Sequence, residues 1–122
     1  MTEFSGLSVL LVEDEGGVAL LLETMLEDLG FEVAASVARV GRAFEAIEAR
    51  AFDLAVLDVN LGGETSFDLA RSLVGGRTPV VFSTGYGAAG LPVDLQSCPV
   101  LSKPFTQDSL RETIRATGIG AR

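Results

Sequence analysis

Four short apolar runs in this chain each lead directly into polar or charged residues. The runs and the residues that follow them are 7–12 with Glu13, Asp14 and Glu15; 54–57 with Asp58; 80–83 with Thr84; and 99–102 with Lys103. Helical patterns separate the runs, and this alternation is typical of βαβ units on a parallel sheet. Parallel strands bring their carboxyl ends to one edge of the sheet, where open α/β folds bind ligands. The sequence therefore predicts an α/β fold with acids, a hydroxyl and a lysine at one sheet edge.

The segments between the runs predict four helices and one further strand. Apolar residues at helical spacing mark helices around 18–29, 40–47, 67–74 and 106–114. Gly30 ends the first helix, and the alternating residues 31–35 predict a strand at the edge of the sheet. The stretch 84–98 differs, because three glycines and Pro92 disfavour a regular helix. We expect a short or irregular crossover there.

Length and composition restrict the class of protein. The 122 residues, 48% of them hydrophobic, are expected to form one domain without an output domain. The net charge of −8 argues against a nucleic-acid partner, whose phosphates require a basic surface. No apolar run reaches the ~18 residues of a membrane span, and residues 1–6 lack the features of a signal peptide. We therefore expect no membrane insertion and a cytoplasmic location.

Two residue counts narrow the chemistry further. The chain has no histidine, which removes the usual zinc ligands and any phosphohistidine of its own. Its single cysteine, Cys98, forms no disulfide framework and is expected to be a small buried hydrophobe. If a phosphoryl group is carried here, an acid must carry it.

The acids after the first two runs predict a metal and phosphoryl site. Adjacent acids after a buried strand repel one another unless a cation lies between them, and Mg²⁺ suits such oxygen ligands. A solvated acidic turn, or a charge pair at a helix start, explains Glu13, Asp14 and Glu15 equally well. Asp58 is more specific, because it follows four apolar residues and the next helix begins only near Ser66. Aspartate can accept a phosphoryl group as an acyl phosphate.

Thr84 and Lys103 are two further groups that suit phosphate. Lys103, followed by Pro104, is a compact cation, and Thr84 presents a hydroxyl before Gly85. A lone surface lysine and a plain turn are the ordinary explanations for these residues taken singly. Their order on successive strand ends favours a shared site.

Together these residues resemble the receiver domains of two-component response regulators. The matching residues are Val12-Glu13-Asp14, Asp58, Thr84 and Lys103-Pro104-Phe105, and the resemblance covers about 8–117. It implies a doubly wound, flavodoxin-like parallel sheet of five strands in the order 2-1-3-4-5. It also implies that Asp58 accepts a phosphoryl group from the phosphohistidine of a sensor histidine kinase. Thr84 and Lys103 would contact the phosphoryl oxygens, and the Lys103–Pro104 bond would be cis.

The resemblance also implies a cofactor and a mode of action. Mg²⁺ would be held by Glu13, Asp14, Asp58 and the backbone carbonyl of Asn60. The protein would be a stand-alone receiver, a monomer or weak dimer, and not a classical enzyme, since it would catalyse only its own phosphoryl transfer and dephosphorylation. It would signal by altered contacts with a downstream protein or act as a phosphate sink.

Several residues depart from the common receiver pattern. Glu13 replaces the more frequent aspartate, Gly62 stands where a proline is common, and Val100 replaces the usual aromatic switch residue. The hexapeptide 82–87 resembles the Phe-Ala-Thr-Gly-X-Tyr class of atypical receivers, which often work with HWE-type kinases and frequently lack an output domain. We therefore predict that the segment 85–97, which includes Tyr86, is the mobile element that carries the signal.

Two other functions fit part of the pattern. A phosphatase-like enzyme of similar topology could use Asp58 as its nucleophile, but the acid it needs two residues further on is replaced by Asn60. A pseudo-receiver that binds partners without phosphorylation would have no need of Asp58, Thr84 and Lys103. A phosphoryl-accepting receiver is the favoured interpretation.

Overall fold

The computed structural model describes residues 3–120 and contains one five-stranded parallel sheet. The strands of the chain are β1 (Ser8–Val12), β2 (Glu32–Val37), β3 (Leu54–Asp58), β4 (Asn60–Leu61), β5 (Glu64–Thr65), β6 (Val80–Thr84) and β7 (Val100–Ser102). The order in the large sheet is β2-β1-β3-β6-β7, while β4 and β5 form a separate antiparallel pair. Without that short pair, the order is the expected 2-1-3-4-5.

Helices cover both faces of the sheet. They are α1 (Gly16–Asp28), α2 (Val40–Ala49), α3 (Phe67–Gly75) and α4 (Gln107–Arg115). Buried residues of α1 and α4 pack in one core cluster, and those of α2 and α3 pack in the other. Because helices shield the sheet on both sides, every residue of β1, β3 and β6 is buried, which explains why these strands are mostly apolar. The predicted doubly wound α/β architecture is confirmed.

The predicted edge strand lies one residue later than expected at its start. It begins at Glu32, and Phe31 instead stacks on Phe4 with ring centroids 4.9 Å apart. Phe4 is 1% exposed and belongs to the core on the α1 and α4 face. The packed core therefore starts four residues before the predicted boundary at residue 8.

The stretch between β6 and β7, which contains the three glycines and Pro92, forms two short 3₁₀ turns, Gly87–Gly90 and Val93–Leu95. The predicted irregular crossover is confirmed. The second turn is anchored. Its Leu95 is buried, and the Arg71 guanidinium of α3 donates to both carboxylate oxygens of Asp94 over 2.8 and 3.2 Å. Tyr86, before the first turn, is 80% exposed.

Two local features concern the start of the last helix and the single cysteine. Thr106 caps α4, since its hydroxyl oxygen accepts from the Ser109 backbone N–H over 3.0 Å. Cys98 is half-buried against the core, and burial raises the pKa of its thiol. Among residues 3–120, no helix is both long and apolar enough to cross a bilayer.

Candidate functional site

The carboxyl edge of the sheet brings three acids together. Val12 ends β1 beside Leu57 of the neighbouring β3, so the residues that follow them emerge side by side. One carboxylate oxygen from each of Glu13, Asp14 and Asp58 lies within 4.8 Å of the other two. The proximity predicted from the strand ends is therefore confirmed.

Glu13 is the most confined of these acids. Its side chain is 1% exposed, and Oε2 accepts a hydrogen bond from the Glu15 backbone N–H over 3.1 Å. The other oxygen, Oε1, is buried and finds no hydrogen-bond partner among residues 3–120. Burial raises the pKa of Glu13 to about 7, and the nearby Asp58 carboxylate also raises it, against the opposing effects of the Glu15 N–H and Lys103.

A divalent cation fits this arrangement of acids. Glu13 has a buried carboxylate oxygen without a hydrogen-bond partner among residues 3–120, and its carboxylate lies close to two further carboxylates, whose mutual repulsion a divalent cation would relieve. Carboxylate oxygens are the ligands that Mg²⁺ takes in proteins, alongside water and phosphate oxygens. The donor set of the chain is therefore compatible with the predicted cofactor.

A backbone hydrogen bond from the loop after β4 orients the Asp14 carboxylate. Its Oδ2 accepts a hydrogen bond from the Gly62 backbone N–H over 3.0 Å. Gly62 has a φ of 59°, in the left-handed region that glycine adopts easily. The proline that is common at this position has no N–H and a fixed negative φ, so it could provide neither this hydrogen bond nor the positive φ. The departure at Gly62 thus has a structural role in orienting Asp14.

Lys103 directly follows β7, and its side chain reaches the acids at the ends of β1 and β3. Its Nζ is 3.5 Å from Asp58 Oδ2 and 3.7 Å from Glu13 Oε1. The Lys103 backbone N–H donates to the Thr84 carbonyl over 3.0 Å, and the Lys103–Pro104 peptide is cis, as expected. Lys103 therefore forms an ion pair with Asp58, while its predicted contact with the phosphoryl oxygens stays a prediction.

Thr84 and Asn60 line a cavity next to the acids. The cavity measures about 230 Å³, and Phe67, Tyr86 and Leu91 also contribute to its walls. Thr84 is buried at the end of β6, whereas Asn60 is exposed at the start of β4. The roles predicted for the Thr84 hydroxyl and the Asn60 carbonyl stay predictions.

The sequence analysis missed two buried hydroxyls at this edge. Ser66 donates from Oγ to the Asp58 carbonyl over 2.7 Å and so fixes the backbone of the candidate phosphoacceptor. Ser83 is paired in register with Asp58. A polar residue inside an apolar run signals Ser83, but its partner strand is visible only in the fold.

The sheet order and the site define a flavodoxin-like domain with an acidic pocket and a lysine at its carboxyl edge. The model of the response regulator receiver domain matches residues 9–115, and this chain belongs to that family. Members of this family are signalling proteins.

Comparison with known proteins agrees with this assignment. The chain is 37% identical over 119 residues to the transcriptional regulatory protein TcrA of Mycobacterium tuberculosis, covering 92% of this chain and 46% of the relative. It spans about half the length of the curated relatives it matches. The solution structure of SdrG from Sphingomonas melonis Fr1 matches with a TM-score of 0.83 and 36% identity, covering 98% of this chain and 100% of SdrG. The receiver domain of Erythrobacter litoralis PhyR matches with a TM-score of 0.81 and 28% identity, covering 98% and 95%.

Proposed function

We propose that this protein is a receiver that accepts a phosphoryl group on Asp58 from the phosphohistidine of a sensor histidine kinase. The observation that carries the proposal is the position of the Asp58 carboxylate, within 4.8 Å of two other acids and 3.5 Å from the Lys103 ammonium. A nucleophile, a metal-ligand set and a cation for the phosphoryl oxygens are thereby collected at one sheet edge.

The roles of the residues follow from this geometry. An Asp58 oxygen would form a bond to phosphorus while the bond from phosphorus to the donor's imidazole nitrogen breaks. Lys103 would pair with the phosphoryl oxygens, and the Thr84 hydroxyl would donate to one of them. Glu13, Asp14, Asp58 and the Asn60 backbone carbonyl would hold Mg²⁺, which supplies charge neutralisation of the phosphoryl oxygens when bound. Asn60 would not serve as an acid, so phosphoester hydrolysis of other substrates is disfavoured.

The wider role is part of the same proposal. The full coverage of SdrG by this chain supports a stand-alone receiver, which signals by altered protein contacts or acts as a phosphate sink. Phe82, Thr84 and Gly85 match the Phe-Ala-Thr-Gly-X-Tyr pattern, although Tyr86 lies one position before the tyrosine of that pattern. Three further points stay predictions: an HWE-type kinase as donor, a monomeric or weakly dimeric state, and a cytoplasmic location.

Phosphorylation with acetyl phosphate tests the proposal directly. With Mg²⁺ the intact protein should gain the mass of one phosphoryl group, and it should gain none without the metal. Asp58→Asn should remain unlabelled, whereas Asp108→Asn, a change at an exposed acid on α4, should label like the unaltered protein. Equal labelling of Asp58→Asn would refute the assignment.

A further inference from the structure

Ser83 of β6 carries a buried hydroxyl. The residue is 1% exposed, and its Oγ lacks a partner within the part of the chain that the structure describes. An unpaired hydroxyl inside a protein is unfavourable, and most buried hydroxyls are paired. Ser66, which is equally buried, donates to the Asp58 carbonyl over 2.7 Å. The unpaired state of Ser83 therefore requires an explanation.

The position of Ser83 places its side chain beside the acids. It is paired in register with Asp58 on β3 and with Leu101 on β7. Residues in register on neighbouring strands share a face of the sheet, and so do residues two apart on one strand. Val81 and Leu101 both pack into the core on the α1 and α4 face. Ser83 therefore lies on that face, next to Asp58 and below the edge of the sheet.

The side chain of Lys103 has to cross the end of β6, where Ser83 lies, to reach the acids. β6 lies between β7, which precedes Lys103, and β3, which ends at Asp58. Neighbouring strands are about 4.8 Å apart, so Lys103 spans β6 to bring Nζ to 3.5 Å from Asp58 Oδ2. The crossing strand contributes Ser83 in register with Asp58. The sheet order therefore places the Lys103 side chain near the Ser83 hydroxyl.

The Lys103 ammonium also has unused hydrogen-bonding capacity. It carries three donors, and its approaches to Asp58 and Glu13 are 3.5 and 3.7 Å. Hydrogen bonds between an ammonium and a carboxylate are normally about 2.7–2.9 Å long. The Lys103 ammonium and the Ser83 hydroxyl therefore lie on one face of β6, and neither has its full set of hydrogen bonds within residues 3–120.

We propose that Ser83 is a positioning residue of the phosphorylation site, whose hydroxyl oxygen accepts a hydrogen bond from Lys103 when the lysine pairs with the phosphoryl group. This inference rests on the proposed function. In the reaction with acetyl phosphate, an Asp58 oxygen bonds to phosphorus, the bond from phosphorus to the acetyl oxygen breaks, and acetate leaves with the electron pair. Lys103 and Ser83 keep their protons throughout.

Removal of the hydroxyl should weaken the phosphoryl-bound state specifically. A hydrogen bond to a charged group corresponds to about a tenfold change in binding. We expect Ser83→Ala to bind beryllofluoride about tenfold more weakly in the presence of Mg²⁺ and to label more slowly with acetyl phosphate. Its melting temperature should be unchanged or higher, because the free protein loses only an unpaired hydroxyl.

Three further variants separate this role from a general packing effect. Ser83→Thr keeps the hydroxyl and should restore beryllofluoride affinity. Ser102→Ala removes an exposed hydroxyl from the neighbouring strand and should bind like the unaltered protein. In a Lys103→Met background, Ser83→Ala should cause no further loss, because Ser83 acts through the lysine.

The outcomes distinguish failure of this inference from failure of the proposed function. If the unaltered protein labels on Asp58 and Ser83→Ala binds beryllofluoride equally well, only the role of Ser83 is overturned. Equal weakening of Ser83→Ala and Ser83→Thr would also overturn it, since the hydroxyl would then be irrelevant. If the unaltered protein itself does not label, both proposals fall.

Discussion

The hydroxyl oxygen of Thr84 accepts a hydrogen bond from the backbone N–H of Tyr86 over 3.1 Å. This contact joins the last residue of β6 to the start of the crossover, beside the cavity that Thr84 and Tyr86 both line. A Thr84 hydroxyl that turned towards a phosphoryl group would alter this contact. The structure therefore offers a direct route from the proposed site to the exposed Tyr86 ring.

We predict that the crossover responds unevenly to phosphorylation. Residues 85–90 should change their hydrogen exchange when beryllofluoride binds, because Tyr86 is exposed and, within residues 3–120, the first turn has no ion pair like the one between Arg71 and Asp94. Residues 93–97 should change little, because Leu95 is buried and Arg71 holds Asp94. Arg71→Met should extend fast exchange into 93–97. Slow exchange across 85–97 in both states would place the switch in another element.

The Thr84 hydroxyl should matter for the bound state. Thr84→Val keeps the shape of the side chain but removes the acceptor for the Tyr86 N–H and the donor for phosphate. We expect it to weaken beryllofluoride binding by about tenfold, and Thr84→Ser to retain most of the affinity. Titration followed by NMR measures both. Unchanged affinity of Thr84→Val would remove Thr84 from the site.

The stability of the metal-free protein should fall as the pH rises. Burial raises the pKa of Glu13 to about 7 from an ordinary value of 4.5, so between these values the folded state holds a proton that the unfolded state has released. Folding is then favoured at the lower pH, and this contribution is lost as the pH rises through about 7. Urea unfolding in chelator should show the loss, and Glu13→Gln should reduce it.

Mg²⁺ should reverse this dependence on pH. Metal binding requires the deprotonated carboxylate, so Mg²⁺ should raise the melting temperature more at about pH 8 than at about pH 5. Asp108→Asn, distant in sequence from the cluster, should show the same metal effect as the unaltered protein. An equal effect of Mg²⁺ at both pH values would mean that Glu13 does not contact the metal.

Gly62 should support metal binding through Asp14. Gly62→Pro removes the N–H that donates to Asp14 Oδ2 and forbids the φ of 59°. We expect weaker Mg²⁺ binding, measured by NMR titration. Gly41→Ala is the control, because a Cβ at that helical position meets nothing within 4 Å. Metal affinity that survives Gly62→Pro would show that Asp14 needs no such support.

Phe4 should stabilise the fold without taking part in phosphorylation. It is buried and stacked on Phe31, so Phe4→Ala should lower the free energy of unfolding by about 3–5 kcal/mol. Labelling of the folded fraction with acetyl phosphate should be unchanged. Tyr86→Ala, at an exposed ring, should instead leave stability nearly unchanged. A loss below about 1 kcal/mol for Phe4→Ala would show that its burial contributes little.

The sequence alone determined the features that depend on local pattern. The mostly apolar runs indicated strands covered on both faces, and glycines at 85, 87 and 90 with Pro92 indicated the irregular crossover. The acids, threonine and lysine at strand ends indicated the site, because parallel strands end at one edge. The residue pattern also indicated the receiver family to which the chain belongs.

Hydrogen bonds and ion pairs between residues far apart in the chain became apparent only in the folded molecule. The Gly62 N–H reaches Asp14 across 48 residues, and Arg71 reaches Asp94 across 23. No local periodicity encodes such contacts, because they depend on where the sheet and its crossovers place each backbone. The same holds for Ser83, whose strand neighbour Asp58 lies on the other side of the crossover that contains α3. A serine in the sequence gives no sign of this role, and its hydroxyl becomes a candidate for function only because it is buried next to Asp58.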